Sequence, residues 1–181
     1  MLVALKQNRF LRFLFISAFI YLLLYFVYEF VIKKYTFIDQ AFIRVIINSA
    51  NILLQSLGYR TFTVLGDNEF QSIGIDGSNG VWIGAACNAS TLFFLFTVYV
   101  LAYPGHQKSK IWFVPLGILS IHLLNILRVC ALAIIAFYKP EYLDFNHTYT
   151  FTFLVYGYIF FLWMLWSNKF AIKGEDADKS R

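Results

Sequence analysis

The chain has 181 residues, of which 60% are hydrophobic, 20% aromatic and only 14% charged. Soluble domains carry about 25% charged residues, so an ordinary water-soluble domain is excluded and the composition points to lipid. The net charge of +5 does not argue for nucleic-acid binding. Lys6, Arg9, Arg12, Lys33, Lys34, Lys108, Lys110, Lys169 and Lys173 sit at the ends of apolar segments, where topology signals lie, and not along a basic soluble face.

In chain order, Phe10 to Ile32 is the first run with the roughly 20 apolar residues that a spanning helix needs. Its apolar stretch is too long for a signal peptide, it carries Glu29, and no A-x-A site follows, so it reads as a retained anchor. Phe37 to Leu57 has a helical pattern but contains Asp39, Gln40, Arg44, Asn48, Asn51 and Gln55. It is expected to lie on the membrane or re-enter it. Residues 58 to 86 hold six of the ten glycines, and RTFTVLGDNEFQSIGIDG reads as two short strands around a Gly66-Asp67-Asn68 turn. Ser90 to Pro104 with a few flanking residues, Ile111 to Tyr138 and Thr150 to Asn168 are the other expected spans. Trp163 and Trp166 near the end of the last are interface anchors. The charged end, KGEDADKSR, reads as a short disordered tail.

Charge placement arbitrates the topology. Lys6, Arg9 and Arg12 put the N-terminus inside. Four spans, with Phe37 to Leu57 not crossing, also put Lys108, Lys110, Lys169 and Lys173 inside; only Lys33 and Lys34 count against this. The expected architecture is therefore an all-α integral membrane bundle in the cell membrane. It has about four transmembrane helices, an amphipathic or re-entrant segment and a small extracytoplasmic β-hairpin. Residues 1–170 form one membrane-embedded domain, 58–86 its outer insert and 171–181 a charged cytoplasmic tail.

This topology brings three chemistry-bearing side chains to one side of the membrane at similar depth. Cys87 opens the second span, Arg128 lies in the outer half of the third, and His147 precedes the fourth. A lone cysteine is commonly a small hydrophobe, and a loop histidine is commonly just solvated. Arg128 is harder to dismiss, because an intramembrane arginine costs at least a few kcal/mol unless paired or hydrated. His122, Asn125 and Arg128 share one stripe at i, i+3 and i+6, and Asn125 is placed to orient the guanidinium. Cys130 points about 160° away from Arg128 and reads as packing; His122 reads as a structural polar contact. Thiol, imidazole and guanidinium together suit acyl transfer: a nucleophile, a proton carrier and a stabiliser of negative charge. Asp144, three residues before His147, is either a solvated acid or an orienter of the ring.

A cysteine at a helix mouth, an N-x-x-R inside a later helix (Asn125 to Arg128) and a histidine before the final helix resemble the exosortase/archaeosortase family. The resemblance covers roughly residues 80 to 165. It implies a membrane-embedded cysteine transpeptidase with Cys87 as nucleophile, Arg128 as transition-state stabiliser and His147 as proton-transfer partner. It further implies exported protein substrates bearing a C-terminal motif, a membrane helix and a basic cluster, which are cleaved and passed to an acceptor on the extracytoplasmic side. Many members carry Cys-Ser-Gly where this chain has Cys87-Asn88-Ala89. No metal, cofactor or nucleic-acid partner is expected; membrane lipid is.

Two other functions fit a small polytopic chain. A non-catalytic scaffold or assembly factor would use Arg128 to pair with a partner helix, and would tolerate Ser or Ala at Cys87. A small transporter would use His122, Asn125 and Arg128 as an anion path and would be sensitive at His122.

Overall fold

The structure, a computed structural model, describes residues 9–32, 36–64, 71–84, 87, 89–103 and 105–171. Lys6, Lys33, Lys34, Lys173, the Gly66-Asp67-Asn68 turn and the charged tail lie outside the described residues.

The chain is a helical membrane protein. Helix α1, Arg9–Val27, continues into a π-helical turn, Tyr28–Ile32. Helix α2 covers Thr36–Ser56 and is followed by strands β1 (Thr61–Val64), β2 (Gln71–Ile75) and β3 (Val81–Ile83). Helices α3 (Ser90–Ala102) and α4 (Gln107–Tyr138) come next. After a 3₁₀ turn, Pro140–Tyr142, a short α5 (Leu143–Phe145) runs through a π turn, Asn146–Thr150, into α6 (Phe151–Leu165), which ends in another π turn, Trp166–Ala171.

Three helical stretches are long and apolar enough to cross a membrane: Phe13–Phe30, Gln107–Tyr138 and Pro140–Phe170. Of the four expected spans, three meet this length and the segment from Ser90 does not. The segment expected to be the second span forms a helix of 13 residues, about 20 Å long at 1.5 Å per residue, against a hydrocarbon thickness of about 30 Å. Residues 140 to 150, expected as a loop, are helical and continuous with the last span.

Ring contacts give the helix directions. Phe13 meets Tyr99 and Tyr103 while Tyr28 meets Phe94, so α1 and α3 are antiparallel. Tyr99 stacks on Trp163 at 4.5 Å, and Phe113 lies 5.9 Å from Phe96 and 5.0 Å from Trp166. Those contacts gather the C-terminal ends of α3 and α6 around the start of α4. A Cβ at Gly117 would collide with the buried Phe96 ring, so glycine is what lets α3 approach α4 there. The turn between them is tied at both ends: Lys110 Nζ donates to Leu101 O at 2.8 Å, and His106 Nδ1 accepts from the Lys108 N–H. Lys110, expected to be only a topology signal, is buried and caps α3.

Helix α2 runs parallel to α4, with Phe42 beside His122 (ring centroids 5.3 Å apart) and Ala50 O accepting from Cys130 Sγ at 3.6 Å. Ile43, Ile46, Ile47, Ala50 and Leu54 interlock there with Ile126, Val129, Leu132, Ala133 and Ala136 of α4 and with Ile73, Val81 and Ile83 of the sheet. Two of the polar residues that set this segment apart in sequence face the first strand: Thr61 Oγ1 donates to Asn51 Oδ1 at 2.5 Å, and Gln55 Nε2 to Thr61 Oγ1 at 3.2 Å.

The expected hairpin is a three-stranded antiparallel meander in the order β1-β2-β3, with Thr61 opposite Ile75 and Ser72 opposite Trp82. Strand β3 was invisible in the sequence because Val81-Trp82-Ile83 is too short to show a period between glycines. It alternates as a half-buried strand does, with Val81 and Ile83 inward and Trp82 66% exposed. Gly77, at φ 91°, makes the tight connection before it.

Candidate functional site

Cys87 lies between β3 and α3, at the end of the bundle opposite the Trp166 cluster. Its N–H donates to Gly84 O at 2.8 Å and closes a single turn. Its carbonyl accepts from Asn125 Nδ2 at 2.8 Å. Two residues later Ala89 takes the left-handed conformation, φ 62° and ψ 9°, as the residue that opens α3. It is the one non-glycine residue with positive φ among the described residues. That conformation costs an alanine roughly 1–2 kcal/mol, so the turn carrying the cysteine is held against a local preference.

Cys87 Sγ stands 3.7 Å from His147 Nε2. This is within reach for a hydrogen bond to sulfur, with the proton on either atom according to the imidazole tautomer. His147 rides on the π turn before α6, whose neighbour Asn146 donates from Nδ2 to Tyr142 O at 2.9 Å. The charges of Arg128 and Asp144 both act on His147. Asp144 makes no hydrogen bond to the ring among the described residues, so its effect there is through space.

Arg128 is half-buried, and its Nε is sealed from solvent with no hydrogen-bond partner. Asn125, one turn earlier, does not orient the guanidinium as expected. It is 2% exposed, spends its Nδ2 on the Cys87 carbonyl, and leaves Oδ1 unpartnered. The helical wheel fixed which face Asn125 occupies, but the connection from β3 to α3 brings the Cys87 carbonyl to that face, and the amide bonds it.

Cys130 is buried among α2 residues on the other side of α4, and burial there matches the packing expected of it. His122 packs its ring on Phe42, with Nδ1 buried and unpartnered. The structure thus brings together Cys87, His147, Arg128 and Asn125, with Asp144 at the rim, and leaves Cys130 and His122 apart. Among the described residues no group of three or more His, Cys, Asp or Glu side chains is placed to hold a metal ion.

No family model, curated protein or solved structure matches the chain.

A thiol and an imidazole in contact, within electrostatic reach of a cation whose Nε lacks a hydrogen-bond partner, have the chemical types of a nucleophile, a base and a positive charge. Sequence singled out all four residues and marked Ala89 only as a departure from the Cys-Ser-Gly pattern; its left-handed backbone is visible in the structure alone.

Proposed function

We propose that the chain is a membrane-embedded cysteine endopeptidase or transpeptidase of the exosortase type. It would act on a C-terminal sorting signal of exported proteins at the outer face of the cell membrane. The observation that carries this is the 3.7 Å contact between Cys87 Sγ and His147 Nε2, residues sixty positions apart, with Arg128 within electrostatic reach of the imidazole. Ala89 adds to it. It stands where the family pattern has glycine and holds a conformation that glycine adopts without strain.

In the reaction His147 takes the thiol proton, and the thiolate attacks the scissile carbonyl. A C–S bond forms while the oxyanion faces the Arg128 guanidinium. Collapse breaks the C–N bond, and the amine leaves with the proton from His147. An acceptor, water or an amine, then attacks the thioacyl carbon and gives its proton to His147. The C–S bond breaks and the thiolate returns.

The membrane arrangement belongs to the same proposal. Helix α1 ends, and α4 begins, at opposite ends of the bundle, so the chain must return between them. The apolar segment that returns is α3. It serves as a short fourth crossing, accommodated by local thinning and by flanking residues. Helix α4, at 32 residues, is about 48 Å long, well beyond the roughly 30 Å hydrocarbon layer. Because α2 and the sheet pack on its Ile126–Ala136 stretch, the excess lies at that end, and Arg128 comes near the lipid–water boundary. There its charge is affordable.

With four crossings both termini are inside and the sheet is outside. In a variant without native cysteines, a membrane-impermeant maleimide added to cells should label Asp76→Cys, whose position is exposed on the sheet, and miss Lys108→Cys. Labelling at position 108 from outside overturns the topology.

The function itself is tested by deleting the chain from its host and comparing the C-termini of exported proteins. A set of proteins should retain a terminal segment of motif, apolar helix and basic cluster. Re-expressed wild type should restore processing and His147→Ala should not. Unchanged C-termini across the exported proteins, or full restoration by His147→Ala, would sink the transpeptidase assignment in favour of a scaffold.

A further inference from the structure

We propose that Asn125 is a positioning residue for this reaction: by holding the Cys87 carbonyl it fixes the turn that aims the thiol at His147. The role presupposes the transpeptidase reading above and assigns the residue a target different from the guanidinium.

Both peptide groups around Cys87 are anchored. Its N–H is held by Gly84 O and its carbonyl by Asn125 Nδ2, each at 2.8 Å. The first anchor is local, three residues back on the same turn. The second reaches across 38 residues to α4 and ties the backbone of this turn to the bundle.

The tie is needed because the turn is not self-supporting. Ala89 holds a left-handed backbone that alanine disfavours, and α3 starts there without a side-chain cap. If the Cys87 carbonyl were released, Ala89 would be free to relax toward right-handed helix. That change would rotate the peptide planes on either side of Ala89 and swing Sγ away from Nε2. A 2% exposed amide, bonded out of reach of solvent, resists such rotation better than a surface contact that water can replace.

Asn125 also stands three residues before Arg128 on a continuous helix, about 4.5 Å along the axis. One rigid element therefore sets the thiol, through the carbonyl, and the guanidinium relative to each other. A site needs this kind of support if its reacting groups are to stay in register.

A double-mutant cycle on the full chain tests the role. In a Cys130→Ala background, where Cys87 is the sole thiol, alkylation by iodoacetamide is followed by intact mass at neutral pH, with thermal unfolding recorded alongside. His147→Ala should slow alkylation at least about tenfold. Asn125→Asp, which keeps the size but loses the donor, should do the same, and the double variant should be no more than about twofold slower than either, because one mutation has already removed what the other acts on. Multiplied losses, or an Asn125→Asp protein that unfolds earlier yet alkylates at the wild-type rate, would show a structural residue only and overturn the proposal. If Asn125→Asp does not accumulate, Asn125→Leu is read by the same criteria. A wild-type rate in His147→Ala condemns instead the Cys87–His147 pair and the transpeptidase reading with it.

Discussion

Arg128→Lys is expected to reach the membrane and accumulate as the wild type does, and to lose about 10²–10³ in turnover, the usual cost of one oxyanion donor. The guanidinium Nε is buried without a hydrogen-bond partner, so that donor is not spent on holding the fold. Lysine keeps the charge but is a hydrated point on a flexible stem, and it cannot present two fixed donors to one oxygen. Arg128→Leu goes further. It should be inactive and no less stable, because it removes a half-buried charge whose Nε has no partner among the described residues. A scaffold would show the reverse, with leucine breaking assembly and lysine restoring it. The measurement is processing of an exported substrate together with membrane abundance and thermal unfolding. Near-normal processing by Arg128→Lys removes Arg128 from the chemistry.

The two cysteines should separate completely. Cys87→Ala leaves His147 and Arg128 in place but removes the thiol, so under the proposed reaction processing should fall to background while the protein stays in the membrane. Cys130 is 4% exposed and faces Ala50 of α2, with only a weak 3.6 Å hydrogen bond from sulfur. Cys130→Ala should retain full activity and lose about 1 kcal/mol of stability, the scale of one buried methyl-sized group. Loss of processing in Cys130→Ala at normal abundance would reverse the assignment, as would a native disulfide between the two cysteines.

The residues of the candidate site were legible in the sequence for unequal reasons. Arg128 stood out by itself, because charge inside an apolar run is expensive wherever the helix lies. Cys130 was separated from Arg128 by the helical wheel alone, and its burial against α2 agrees with that separation. Cys87 and His147 carried no local signal that they meet. Topology put them on one side, but the 3.7 Å contact depends on how α3 and α6 both lean on α4. Asn125 was placed on the correct face and given the wrong partner, since the carbonyl it binds belongs to another element.

What the sequence by itself determined is everything that follows from solvent and from periodicity: the membrane class, the two long apolar runs at the chain ends and the third before residue 138, and the polar stripe on α4. Those properties are set residue by residue through transfer free energy and the 3.6-residue repeat, so no fold is needed to read them. The tertiary structure alone decided that α3 is a 13-residue helix, that a third strand joins the sheet, that Asn51 and Gln55 of α2 turn to β1, and that Ala89 is left-handed two residues after the thiol. Each is the outcome of competition among non-local partners for buried polar groups and packing space. A buried N–H or carbonyl must be paired, but with whom depends on which element reaches it first.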